Sequence, residues 1–220
     1  MPPIGCSAGW WPPLPSWAAN SVTIRKGDPY GEAGELPEGG VLVRSDAEAG
    51  AALNAARRDR RPFPALGLLG GDLCRTLGGG AGGDQLQGVR FTVDVGEALL
   101  DGRLHLFVAH LVARTRLWTR AFVAMNAQYL GGWNLGPRAH PNDGLLDTYD
   151  AHLSRDQLLP VRARLHHGTH LPHPGITERR TAALQVELER PLPVRLDGAR
   201  VGTARVISVR AQPDAITVVV

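Results

Sequence analysis

A chain of 220 residues, 43% of them hydrophobic and with a mean hydropathy of −0.12, can bury a real core, which excludes global disorder and bounds the protein to one large domain or two small ones. Its 24 basic and 21 acidic residues leave a net charge of +3, scattered along the chain, and this excludes nucleic acid as the expected partner, which needs a concentrated basic stripe. Two cysteines, Cys6 and Cys74, make no disulfide framework, and no apolar run reaches the roughly 18 residues of a spanning helix.

Residues 1–22 are rich in Pro, Trp, Ser and Ala and show no periodicity, so a disordered leader is predicted. The segment lacks an N-terminal basic region, and Pro2, Pro3, Pro12, Pro13 and Pro15 break its hydrophobic residues, which excludes a signal peptide. The protein is therefore expected to be soluble and cytoplasmic, with any membrane contact peripheral. Trp10, Trp11 and Trp17 are the leader's candidates for such contact, weighed against a plain floppy tail.

Order is predicted after Gly27. Val41–Val43 reads as a short strand, and Ser45 with Glu48 has the form of a capping box. The helix that follows runs to about Arg58, ends in a basic turn that suits its dipole, and is stopped by Pro62 and Pro64. Leu66–Leu69 is a second strand leading into Gly70-Gly71-Asp72, and Leu73–Leu77 a short helix before Gly78-Gly79-Gly80. Residues 23–88 thus read as a reduced α/β element.

From Phe91 the period changes to two: Phe91, Val93 and Val95 alternate with Thr92 and Asp94. Further strands are predicted at Leu104–Leu111, Arg120–Asn126, Leu145–Leu153, Ala182–Glu189, Val194–Leu196, Ala204–Val209 and Ala215–Val220. Turn signals such as Asp101-Gly102, Asp143-Gly144 and Asp197-Gly198 separate them. One helix interrupts the series, from the second capping box at Ser154 and Gln157 to Gly168, with Pro160 predicting a bend or a late start. The fold class is therefore α+β: an antiparallel β-sandwich over 89–220 with one crossing helix, preceded by the reduced α/β element.

Several motifs in this half occur in a recognisable order. Phe122-Val-Ala-Met-Asn126, Tyr129, Gly131-Gly132 and Asn142-Asp-Gly-Leu-Leu-Asp147 come first. Gly168-Thr-His-Leu-Pro-His-Pro-Gly175 and Pro193-Val-Arg-Leu-Asp-Gly198 follow. The ordered set resembles the C-terminal β-domain of the diacylglycerol-kinase-type lipid kinases. Upstream, Gly67-Leu-Leu-Gly-Gly-Asp72 resembles that family's strand and glycine-rich phosphate loop, where backbone amides approach phosphate closely. The resemblance implies phosphoryl transfer from ATP to a lipid hydroxyl with magnesium, and nucleotide binding at Gly70, Gly71, Asp72 and Asn126. It also implies a cation in the Asp-Gly loop, held by the Asp143 carboxylate and the carbonyls of His140 and Leu145. A turn closed by the side chains of Asn142 and Asp143 without metal is the other reading of that loop.

The departures from the family weigh against ATP. Leu73 and Cys74 stand where the family has Gly-Thr, the Asn-Pro-Gly and Gly-Thr-x-Asn-Asp motifs are absent, and the Asp-Gly-Glu turn reads Asp197-Gly198-Ala199. The resemblance makes that glutamate the general base, and the methyl of Ala199 cannot take a proton. Asp197 is the substitute to consider, although a continuing strand turns it to the opposite face from position 199. His166, His167, His170 and His173 invite a zinc reading, but no cysteine or acidic residue lies near them in sequence, and a structural role is the expectation.

Three readings stay open. One is a lipid-kinase relative that no longer transfers phosphate and binds a lipid-like ligand, a nucleotide or a partner protein. The second is an active ATP-dependent lipid kinase using shifted residues or a partner subunit. The third is an assembly role, with the sandwich edges pairing into a homodimer. A kinase requires a cation-holding cleft before Gly70–Asp72. A lipid binder requires an apolar pocket inside the sandwich, lined by residues such as Leu106, Val108 and Val123. An assembly protein requires an uncovered apolar edge or patch.

Overall fold

A computed structural model describes residues 30–79 and 87–220. The leader with Cys6 and its three tryptophans lies outside the described residues, as does most of the glycine run that follows Gly79.

The α/β element forms as its sequence suggests. Strand β1 (Glu32–Glu35), which had no periodic signal, precedes β2 (Val41–Val43), α1 (Asp46–Arg58), β3 (Leu66–Leu68) and α2 (Asp72–Thr76). Ser45 accepts the Glu48 amide at 3.2 Å, while the Glu48 carboxylate accepts the amide of Arg44 at 2.8 Å, one residue further back than a capping box predicts. Helix α1 buries Ala49, Leu53 and Ala56, spaced on one face at helical period. Asn54 works as a surrogate strand: its side chain donates to the Leu106 carbonyl at 2.9 Å and accepts the Leu106 amide at 3.1 Å. That covers a sheet edge that would otherwise present open backbone groups.

The β-rich half contains β4 (Gln87–Leu100), β5 (Arg103–Phe107), β6 (His110–Arg114), β7 (Arg120–Met125), β8 (Leu146–His152), α3 (Arg155–Leu165), β9 (Ile176–Thr181), β10 (Ala183–Leu196) and β11 (Ala199–Val219). The strands are arranged in the order β1-β4-β11-β10-β6-β7-β8-β9, with β5 on β4, and the pairings along this path are antiparallel. Parallel strands β2 and β3 join the same sheet through Leu66 and Gly67, which pair with Val218 and Val219 at the end of β11.

Several predicted boundaries shift. The strand expected at Leu104–Leu111 is two strands, because the amides of Val108 and Ala109 leave the ladder to bind the Asp197 carboxylate. The pair expected at Ala182–Glu189 and Val194–Leu196 is one strand, β10, with a register shift between Glu187 and Leu192 that accommodates Pro191. The last two strands also fuse into β11, with an irregularity between Gln212 and Ile216 around Pro213. Helix α3 begins at Arg155 and continues through Pro160. Asp197 and Gly198 take positive φ of 51° and 83°, the conformation of a tight two-residue hairpin turn between β10 and β11.

Two large cores result. One lies beneath α1 and contains Leu53, Leu66, Leu68, Leu73, Val93 and Val108. The other fills the sandwich with Leu111, Phe122, Leu146, Val194, Leu196 and Ile207. A smaller cluster under α3 joins Val112, Val123, Met125, Tyr149 and Leu165. Among the described residues no helix is long and apolar enough to cross a membrane.

Candidate functional site

Strands β2 and β3 end side by side, and the crevice beyond the carboxyl ends of parallel strands is where α/β folds place ligands. Here the chain fills that crevice itself. The Asp46 carboxylate accepts the amides of Asp72 at 2.5 Å and Leu73 at 3.1 Å. In a phosphate loop such amides are offered to a ligand's oxygens. Gly71 has φ of +105°, and a Cβ there would lie 2.5 Å from the Asp46 carboxylate, so the glycine makes room for a side chain of the same protein. Burial raises the Asp46 carboxyl above its usual range, with the two amide bonds opposing.

Asp72 faces the β-rich half. One carboxylate oxygen is 3.0 Å from His110 Nε2, and the Gly131 amide donates to both oxygens, at 2.9 and 3.0 Å. Arg75 steadies the same loop, with its guanidinium 3.8 Å from the Tyr129 ring centroid and donating to the Gly131 carbonyl. Burial opposes ionisation of Asp72, but the His110 and Gly131 hydrogen bonds outweigh it and hold the carboxyl low. Burial also opposes protonation of His110. The hydrogen bond to Asp72 and the charges of Asp197, Asp72 and Asp46 outweigh it, so the imidazole is shifted upward. Gly70, Gly71 and Asp72 are thus assembled at one place, but as an internal carboxylate–imidazole–amide network.

Asp197, the substitute base, is a structural anchor. Its buried carboxylate accepts the amides of Val108 and Ala109, each at 2.8 Å, and of His110 at 3.0 Å. Burial pushes this carboxyl up to about 6, opposed by His110 and the three amides. Ala199 is exposed at the start of β11. Asn126 is wholly buried, and its amide donates to the carbonyls of Asp94 at 2.9 Å and Val108 at 2.8 Å. It ties β4 to the break between β5 and β6 instead of lining an open cleft.

The Asp-Gly loop is also satisfied from within. The Asp94 carboxylate accepts the amides of Asp143 at 3.1 Å, Gly144 at 2.7 Å and Asp214 at 2.9 Å. Asp143 accepts the Leu145 amide at 2.9 Å and pairs with the Arg180 guanidinium, whose Nε lies 3.8 Å from Asp147. His140 turns its Nδ1 toward the Asn142 amide, 3.3 Å away. A guanidinium thus already neutralises Asp143, one of the three oxygen ligands that the resemblance implies.

A different feature has the character of a ligand site. Helix α3 crosses the face of β6–β8, and between them is a cavity of about 600 Å³, within the range that ligand pockets take. Ala121, Val123, Tyr149 and Ala151 form its sheet wall, and Val161 and Leu165 its helix wall. Trp118 and Trp133 meet edge to face, 5.3 Å apart, with Arg114 over the first at 4.5 Å and Arg162 over the second at 5.4 Å. Of the three residues expected to line an apolar pocket, only Val123 does so. Leu106 and Val108 belong instead to the core beneath α1 and do not line the cavity.

Among the described residues, His166, His170 and His173 do not gather into one ligand cluster. His166 contacts the Gly132 carbonyl at 3.0 Å, His173 accepts the Gly175 amide at 3.0 Å, and His170 is buried against the cavity. Among the described residues the group close enough to share an ion is Asp46, Asp72 and His110, where Asp72 and His110 bond each other and Asp46 is engaged by amides. Asp46, Asp94, His110 and the two tryptophans carried no sequence signal as site residues. Many of their partners lie far off in sequence: Trp133 is 15 positions from Trp118, and Asp214 is 120 from Asp94.

Residues 101–220 match the family described as the YegS C-terminal NAD kinase β sandwich-like domain. Comparison with the curated proteins finds no match. Among solved structures, a protein assigned as a diacylglycerol kinase from Bacillus anthracis str. Sterne is similar, with a TM-score of 0.57 at 15% identity, covering 81% of this chain and 76% of that one. A second from the same organism gives 0.51 at 15% identity, covering 71% and 69%. At this identity the likeness is one of fold.

Proposed function

The chain belongs to the diacylglycerol-kinase-type lipid-kinase family, through its YegS C-terminal NAD kinase β sandwich-like domain, and from this premise we propose that it binds a lipid-like amphiphile without phosphorylating it. The observation that carries the proposal is the apolar cavity between α3 and the sheet. Its walls are aliphatic and aromatic, and a hydrocarbon chain entering it leaves water for a surface of the same polarity.

Three features support the loss of transfer. Phosphoryl transfer relies on positioning and on neutralising phosphate charge. In this chain the amides of Asp72 and Leu73 are taken by a carboxylate, which repels phosphate. Ala199 replaces the implied base, and general-base loss typically costs ~10²–10⁴ in rate. Asp197 cannot take over while three backbone amides hold its carboxylate.

The test pairs a soluble fluorescent short-chain diacylglycerol, titrated to equilibrium, with Mg-ATP labelled on its γ-phosphate. The unmodified protein binds the probe and yields no labelled lipid. Ala151→Phe and Leu158→Trp, both cavity-lining positions, weaken binding at least ~10-fold, the effect of losing about 1.4 kcal/mol. Labelled lipid from the unmodified protein, or probe binding indifferent to both substitutions in folded variants, overturns the proposal.

A further inference from the structure

We propose that the mouth of the α3 cavity is a docking surface for an anionic lipid bilayer; this rests on reading the cavity as a lipid site. Among the described residues, Leu159 and Leu117 are the most exposed of the large hydrophobic side chains, at 77% and 55%. Single exposed leucines are ordinary. These two stand on opposite lips of one apolar cavity, Leu117 on the turn between β6 and β7 and Leu159 on α3. Trp118 and Trp133 lie beside them, and tryptophan favours the boundary between hydrocarbon and headgroups.

The charge at this mouth is one-sided. Arg114, Arg116, Arg155 and Arg162 line it, and no aspartate or glutamate does. Some arginines elsewhere in the fold are matched with acids, among them Arg120 with Asp150, Arg180 with Asp143 and Arg205 with Glu187. Among the described residues none of the four mouth arginines is in an ion pair, and Arg114 and Arg162 stack on the two tryptophans instead. Two projecting leucines enter hydrocarbon, the tryptophans sit at its edge, and the guanidinium groups meet lipid phosphates. A soluble anion or an acidic protein would account for the arginines but leave both leucines in water. The bilayer uses all of them, and the ligand then enters the cavity directly from the membrane.

Co-sedimentation with vesicles of phosphatidylcholine alone, and of phosphatidylcholine with phosphatidylglycerol, tests the proposal. The unmodified protein binds the anionic vesicles and releases them as salt rises. Arg116→Glu with Arg155→Glu weakens binding at least ~10-fold, on the basis of roughly fivefold per arginine at a charged surface. Leu117→Asp with Leu159→Asp weakens it comparably, and both pairs are exposed positions at which folding is undisturbed. Vesicle binding that survives the leucine substitutions overturns the bilayer assignment in favour of a purely ionic partner. A protein that binds the soluble diacylglycerol probe but no vesicles overturns the docking surface and leaves the cavity reading standing. One that binds neither removes both.

Discussion

The Asp46 carboxylate lies 2.5 Å from the backbone nitrogen of Asp72, inside a loop whose family counterpart presents such nitrogens to phosphate. A side chain of the protein occupies what the resemblance implies is a nucleotide subsite, and Gly71 provides the space for it. Replacing Asp46 with Ala therefore has two consequences. Two amides lose their acceptor, which destabilises the fold by about 1–3 kcal/mol. The same amides become free to meet an anion, so inorganic phosphate or pyrophosphate raises the melting temperature of Asp46→Ala while leaving that of the unmodified protein unchanged. Equal shifts in both proteins would show that Asp46 does not block the loop.

Asp197 and Ala199 should separate structure from catalysis. Asp197→Asn places an amide among three N–H donors and loses charge-assisted bonds, so a cost of about 3 kcal/mol is expected in denaturant unfolding. Ala199→Glu changes an exposed position and stays within about 0.5 kcal/mol of the unmodified protein. It also fails to create phosphoryl transfer, because the amides at Asp72 and Leu73 remain taken. Lipid kinase activity in Ala199→Glu alone would mean that a working nucleotide cleft had survived.

Buried carboxyls raised by desolvation, Asp46 among them, pull the response to pH in one direction. Burial raises Asp94, Asp147 and Asp197 from an ordinary 3.8 to about 6, so the folded chain holds these protons more tightly than the unfolded chain does. Their contribution is complete below 3.8 and is lost as pH rises through about 6. His110, raised above 6.5, adds a contribution of the same sign that disappears as pH rises through its folded value. Asp72, held low, acts oppositely, and its contribution is lost only as pH falls through its depressed value. His105, His140 and His170, held below 6.5 by burial, act oppositely as pH rises toward 6.5, but the raised carboxyls and His110 set the net direction, so denaturation midpoints should decline between about pH 4 and pH 7. A rising midpoint over that interval would contradict the assignment.

The sandwich, the crossing helix and the family were legible because alternation, capping boxes and Asp-Gly turns are local signals. Ser45, Ser154 and Asp197-Gly198 each announced a boundary that the structure contains. The networks were not legible, since they join residues distant in the chain: Asp46 to Leu73, Asp197 to Val108, Asp94 to Asp214. Asp197 illustrates the difficulty. Its turn conformation was readable, but the direction of its carboxylate depended on a break between β5 and β6 that alternation had passed over. The cavity was misplaced for a related reason. Leu106 and Val108 are as apolar as Val123, and only the sheet order reveals that they face α1.

Filling the cavity should stabilise what surrounds it. Leu165 is buried at 8% exposure in the cluster under α3, and Leu165→Ala is expected to cost about 2–5 kcal/mol in denaturant unfolding. A saturating soluble diacylglycerol raises the unfolding midpoint of the unmodified protein through preferential binding to the folded state. No shift on adding the lipid would argue that the cavity is an ordinary packing defect.

The central claim is that the protein holds a lipid and leaves it unphosphorylated, and one measurement addresses both halves. Radiolabelled diacylglycerol is incubated with the protein and Mg-ATP, the protein is separated by gel filtration, and the lipid eluting with it is identified chemically. The account predicts that label co-elutes with the protein and is recovered as unchanged diacylglycerol. Recovery as phosphatidic acid, or no label with the protein at all, would contradict it.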